Sequence, residues 1–196
     1  MINLDEIPKC IINLPTRPER LKQTEEELAK FFKNTSYTLI EGVKTKTSKL
    51  GIGKAHMNCI EYAKNNNFPN ILILEDDLIF RDGAREYANE CMKNIPEDYD
   101  ILLGGIYESG MLYPVNDLWN KTGWFCGLHF YIVNEKAYDK ILAYGGETHI
   151  DKYMVKFANL TCYVARKHFA IQRVGFSDNI NAFADYSSLL EKFELL

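Results

Sequence analysis

Apolar positions in this chain follow two alternating patterns. Short unbroken apolar runs read as buried strands, and stretches with apolar residues three and four apart read as amphipathic helices. Lys9–Leu14, with Cys10-Ile11-Ile12, is the first strand. Thr16 and Glu19 have capping-box spacing around Pro18, which predicts a helix from Arg17 to about Lys33. Tyr37–Glu41 is a second strand, and Ile52, Cys59, Ile60 and Ala63 mark a helix over about 50–65. Four aliphatics, Ile71 to Leu74, then form a strand buried on both faces over about 70–76. Asp82 is expected to cap a helix carrying Ala84, Ala88, Cys91 and Met92. Tyr99–Gly104 and Phe125–Val133 read as strands, and Asn134 caps a helix through Leu142 that stops at Gly145-Gly146. A short helix over Lys152–Ala158, a strand at Thr161–Ala165 and a tail ending in a helix complete the pattern. Such alternation implies an α/β fold, a mainly parallel sheet with helices on both faces.

Ligands in such sheets bind beyond the carboxyl ends of the strands. Asn13, Glu75, Asp77, Gly104 and Gly105 all fall at predicted carboxyl ends, so one cleft is expected to hold them. Glu75, Asp76 and Asp77 arrive together at the end of an apolar strand. On an ideal pleat Glu75 and Asp77 share a face and Asp76 points the other way. So much like charge is costly without a cation, and carboxylate oxygens suit Mg²⁺ or Mn²⁺, which commonly carry nucleotide phosphates as further ligands. The plainer reading of the same residues is a solvated strand end.

Composition narrows the classes. With 46% hydrophobic and 13% aromatic residues among 196, the chain has the make-up of an ordinary globule. Its net charge of −4 argues against a nucleic-acid binder. No apolar run reaches the length of a membrane span, and the first residues lack the plan of a signal peptide, which together lead us to expect a cytoplasmic protein. Five scattered cysteines without a Cys-x-x-Cys pair suit reduced thiols rather than a zinc site. Phosphate-loop, dinucleotide and hydrolase-elbow motifs are missing.

Several blocks arrive in a telling order. They are Ile12-Asn13-Leu14 with Arg17 and Arg20-Leu21, Gly51 five residues before His56, Leu74-Glu75-Asp76-Asp77, and Asp100–Gly104. Gly127–Val133 with Ala137, His149-Ile150-Asp151, and Gln172 with Ser177-Asp178 follow. The series, over about residues 9–180, resembles the family 25 glycosyltransferases, the lipooligosaccharide-biosynthesis and collagen-galactosyltransferase group. Ala55 and His149 depart from the Ser and Pro that the family carries there, so the acceptor side differs more than the donor side.

The resemblance implies a single GT-A-type domain over 1–196 that moves a hexose, galactose or glucose, from a UDP-sugar donor with Mn²⁺ or Mg²⁺. Asp77 is then the first metal ligand, with Glu75 a second ligand or a ribose contact, and Asp76 the alternative for either role. Arg17 and Arg20 are placed to reach the diphosphate through bidentate contacts, and Asn13 the base or ribose. His56 is expected to line the donor site, although its apolar helical face equally suits a core histidine. Asp178 is a candidate for ribose, diphosphate or metal. Asp151 is the candidate acceptor-side base if the reaction inverts the anomeric centre, its plainer role being a helix cap. His168 is a further metal candidate, and His129 reads as structural. The acceptor is a glycan or glycoprotein, which allows peripheral association with a membrane-bound acceptor. Two rivals share the acidic strand end: a Mg²⁺-dependent phosphohydrolase or nucleotidyltransferase, and a degenerate subunit that binds nucleotide-sugar without turnover.

Overall fold

The computed structural model describes residues 1–190, 194 and 195. β1 (Lys9–Asn13) leads through α1 (Pro18–Phe31), β2 (Thr38–Glu41) and α2 (Ser48–Asn65) to β3 (Asn70–Glu75) and the short β4 (Leu78–Phe80). α3 (Ala84–Lys93), β5 (Ile101–Leu103), β6 (Leu112–Pro114), β7 (Trp119–Thr122) and β8 (Phe130–Asn134) follow. Then come α4 (Tyr138–Leu142), α5 (Ile150–Lys156), β9 (Cys162–Ala165), β10 (Ala170–Gln172) and a hairpin of β11 (Gly175–Ser177) and β12 (Ala182–Ala184).

Eight strands form one sheet in the order β2-β1-β3-β8-β5-β9-β7-β6. β1 runs parallel to β2 and β3, and β9 parallel to β5. β8 is antiparallel to β3 and β5, and β7 to β9 and β6. Six strands therefore run one way, with β7 and β8 reversed. The β3 run alternates as a strand buried on both faces must. Ile71 and Ile73 pack with Tyr131 and Val133 against Cys59, Ile60 and Ala63 of α2, joined by Ile141 of α4 and Met154 of α5. Leu72 and Leu74 pack with Phe130 and Ile132 on the other face, against Leu28 and Phe31 of α1 and Ala88 and Met92 of α3. Each fully buried Leu, Ile, Val or Phe among them contributes roughly 1.5–3 kcal/mol of hydrophobic stabilisation.

Local chemistry departs from the sequence reading at several ends. α1 starts at Pro18 with Arg17 as N-cap and no side-chain cap bond, so Thr16 does not cap it. α3 is entered through Gly83 in the left-handed region (φ 73°), not through an Asp82 cap. The expected strand over 125–133 is two pieces, because Gly127 at φ +111° turns the chain between Phe125–Cys126 and β8. Asn134 caps a 3₁₀ turn (Glu135–Ala137), accepting from Lys136 N at 3.2 Å, and α4 continues from it through Leu142, as expected. α5 begins at Ile150, two residues early, which puts Asp151 in its first turn. β6 and β7 arise where no strand was expected. Of the expected tail helix, Ser187–Leu190 is one turn, and 191–193 and 196 lie outside the described residues.

Candidate active site

Beyond the carboxyl ends of β1, β2 and β3 lies a cavity of about 510 Å³. β3 ends at Glu75, so the pleat stops there and Asp76–Asp77 form a turn. The three carboxylates consequently point three ways, all lining the cavity. Glu75 Oε1 meets His56 Nε2 at 3.2 Å. Asp76 takes Arg20 Nη1 at 2.9 Å on one oxygen and Asn13 Nδ2 at 2.7 Å on the other. Asp77 Oδ2 accepts from Gln172 Nε2 at 2.8 Å, while its Oδ1 is buried without a hydrogen-bond partner among the described residues. The expected shared face of Glu75 and Asp77 thus gives way to turn geometry.

Register explains each partner. β1 pairs with β3 so that Ile12 faces Glu75, which brings the following Asn13 beside Asp76. β10 pairs with β4 so that Gln172 faces Leu78, beside Asp77. Thr24 Oγ1 donates to the Asp76 carbonyl at 2.9 Å and pins the turn to α1.

Electrostatics then separates the carboxylates. Burial pushes Glu75 up, but the His56 hydrogen bond and the charges of His56, His129 and Arg20 outweigh it and hold its pKa below the usual value. Burial keeps Asp76 above the usual value despite Arg20 and Asn13. Asp77, raised by burial and by its two acidic neighbours, is pushed up to about 7. It is the carboxylate that most needs a cation.

His56 is buried, with Nδ1 at 2.8 Å from the Tyr131 hydroxyl. A carboxylate only accepts, so Nε2 carries a proton toward Glu75, and in the neutral ring Nδ1 accepts from Tyr131. The histidine is both core and cavity wall. Arg20 lines the cavity and also donates from Nη2 to the Phe176 carbonyl at 3.0 Å. Arg17 stands outside the wall, held to Asp178 by Nε at 3.0 Å and Nη2 at 3.2 Å and lying over the Phe176 ring. Asp178 itself lines the cavity, as does Asp151. Burial raises the Asp151 pKa against the Lys152 backbone bond and the His149 charge.

Three expectations for the cleft are not met. Asn13 is buried behind Asp76, its amide spent on Asp76 and the Arg17 carbonyl. Gly104 and Gly105 lie off the cavity, pressed so closely on Phe169 and the Ala170 carbonyl that a Cβ would come within 2.3 and 2.0 Å. His168 is likewise buried away from the cavity, its pKa lowered to about 3 by burial and by His129. His129 holds the Ala170 carbonyl at 3.0 Å, a structural role. Sequence reasoning missed the 42–45 loop, Tyr131 and Tyr186. Gly51 was the available signal for the loop: a Cβ there would sit 2.1 Å from the Val43 carbonyl.

Residues 50–187 match the profile of glycosyltransferase family 25 (LPS biosynthesis protein), well over half of the chain. The chain belongs to that family and is a glycosyltransferase. No curated protein matches it. Among solved structures, A197 from STIV is 14% identical over 90% of this chain and 93% of its own, with a TM-score of 0.52. Mannose-1-phosphate geranyltransferase from Thermus thermophilus is 12% identical over 81% and 73%, with a TM-score of 0.49. A glycosyltransferase involved in the glycosylation of the major capsid of PBCV-1 is 14% identical over 69% and 63%, with a TM-score of 0.42. The fold is α/β of the GT-A type, with a mostly parallel sheet. No helix among the described residues is long and apolar enough to cross a membrane.

Proposed function

We propose that this glycosyltransferase acts as one domain, moving a hexose, galactose or glucose, from a UDP-sugar to a saccharide or glycoprotein acceptor, with Mn²⁺ or Mg²⁺. The observation that carries the reading is Asp77: a cavity carboxylate with one buried oxygen unpartnered and a pKa pushed up to about 7. These residues fit a hard cation. Asp77 would hold it with Glu75, and donor phosphates would supply further oxygen ligands. When bound, the cation balances the charge that grows on the departing diphosphate.

The chain's own residues supply the rest. Arg20, anchored on Asp76, faces the phosphates as a fixed guanidinium. Arg17, paired with Asp178 beside the cavity, is the second diphosphate contact, and Asp178, which lines the cavity, serves the ribose. Asn13 acts through Asp76. His56, held by Tyr131, orients Glu75. Asp151, its proton affinity raised by burial, takes the proton of the acceptor hydroxyl in an inverting reaction. The LPS biosynthesis in the family's description supports a saccharide acceptor, and with it peripheral association of a cytoplasmic enzyme with a membrane-bound acceptor.

Calorimetric titration of UDP, UDP-galactose and UDP-glucose, each with and without Mn²⁺, tests this. Metal-dependent binding of a UDP species is the expected result. No nucleotide binding, or hydrolysis of free nucleotide without sugar transfer, overturns it.

A further inference from the structure

The cavity has two unlike ends. Toward β1 and β2 its wall is Gly42, Val43, Gly51 and Ile52 with the polar Lys44, Thr45 and Ser48. Toward β8 and β5 it carries Tyr107, Tyr186, Asp151 and His149. The sheet order sets β3 and its carboxylates between the two. A diphosphate at that turn would have cavity on both sides of it, room for a nucleoside on one and a sugar on the other.

The tyrosines are built into that second end. Their rings stack with centroids 4.4 Å apart and planes at 13°. Tyr107 N donates to the Cys126 carbonyl at 3.0 Å, which fixes the chain beneath its ring. Gly127 leaves the ring its room: a Cβ there would lie 3.0 Å from it, and the backbone φ of +111° disfavours any side chain. Tyr186 reaches the same wall from beyond the β11–β12 hairpin, so one subsite is assembled from two distant segments.

A pyranose offers a C–H-rich face and a rim of hydroxyls. It is recognised by an aromatic surface with acceptors beside it, and pockets of this mixed kind hold polar ligands in one orientation. The field of the site agrees with this placing. Burial raises the Tyr107 hydroxyl, with Cys126, Asp151 and Glu75 adding to it. Burial likewise raises Tyr186, with Asp77 and Glu75 adding. Both hydroxyls thus stand within electrostatic reach of Glu75, Tyr107 also of Asp151 and Tyr186 also of Asp77.

We propose that Tyr107 and Tyr186 form the hexose subsite of the donor pocket, seating the transferred pyranose between the Glu75–Asp77 turn and Asp151. This rests on the UDP-sugar reading above and adds to it the part of the cavity that tells UDP-hexose from UDP.

The test compares full-length wild type, Tyr186→Ala and Tyr186→Phe, titrated with UDP, UDP-galactose and UDP-glucose in Mn²⁺. Wild type is expected to bind one UDP-hexose more tightly than UDP. Tyr186→Ala should lose that advantage by about tenfold while keeping its UDP affinity, and Tyr186→Phe should retain most of it. An unchanged advantage in Tyr186→Ala overturns the subsite alone. Equal losses for UDP and UDP-hexose mark a structural role and overturn it too. A wild type that ignores every UDP species overturns the donor reading, and the subsite with it.

Discussion

At the scale of the residue, the three adjacent carboxylates are distinguished by what each one touches. Asp76 has Arg20 and Asn13, Glu75 has His56, and Asp77 has the Gln172 amide, Arg20 only at 3.9 Å, and one oxygen without a hydrogen bond. Its pKa of about 7, against an ordinary 3.8, fixes the direction of a pH effect. Between those two values the folded protein binds a proton that the unfolded chain releases, so ionising Asp77 lowers stability as pH rises toward 7. Asp77→Asn removes that cost. The stability difference between Asp77→Asn and wild type should widen in the variant's favour from pH 5 to pH 8 in thermal unfolding without metal. Cation binding needs the ionised form, so Mn²⁺-dependent UDP affinity in wild type should fall below pH 7, by up to about tenfold per pH unit. The variant should show no metal-dependent affinity at either pH. An affinity that does not change between pH 6 and pH 8 would remove Asp77 from the metal site.

Elements position the cavity through close approaches and one latch. α2 meets the 42–45 loop at Gly51, where backbone, not a flexible side chain, fills the space a Cβ would need. Gly51→Ala should therefore cost about 1–3 kcal/mol, as overpacking does, and weaken nucleotide binding by moving the loop. Chemical denaturation with parallel UDP titration measures both; a wild-type midpoint would show that the loop gives way freely. The β11–β12 hairpin is tied down by Arg17–Asp178 and by Arg20 on the Phe176 carbonyl. Exposed ion pairs contribute roughly 0–1 kcal/mol. Arg17→Ala should thus leave the melting temperature nearly unchanged while weakening UDP about tenfold and leaving uridine unaffected, if the arginine serves the diphosphate. Equal losses for uridine and UDP would assign Arg17 to the hairpin alone.

For the whole molecule, ligand linkage gives a measure independent of turnover. A ligand held by the folded state alone at a hundredfold excess over its Kd adds about 2.7 kcal/mol. For a chain of 196 residues this is a rise of roughly 5–10 °C in melting temperature. UDP and Mn²⁺ together should give that shift, and each alone much less, because the diphosphate offers the cation oxygen ligands and the cation offsets the repulsion between diphosphate and carboxylates. Additive small shifts in a thermal scan would mean separate sites.

The sequence by itself determined the class of fold and the centre of the site. Ile71 to Leu74 could be buried only on both faces of a sheet, and the carboxylates after them had to stand at its carboxyl edge. Both follow from local periodicity, which is why β3, α2 and the acidic turn stood where they were expected. Only the tertiary structure decided which partner each carboxylate received. The pleat ends at Glu75, so alternation could not assign directions to Asp76 and Asp77, and the pairing of β1 with β3 and of β10 with β4 did so instead. The same distinction holds for the misjudged glycines. Gly104 and Gly105 stood at a strand end like cleft residues, yet Phe169 and Ala170, more than sixty positions along, occupy their space. Tyr107 and Tyr186 were invisible as a pair for the same reason: a ring contact across 79 residues leaves no trace in spacing. Periodicity encodes what a segment buries, and long-range register and packing choose what it meets.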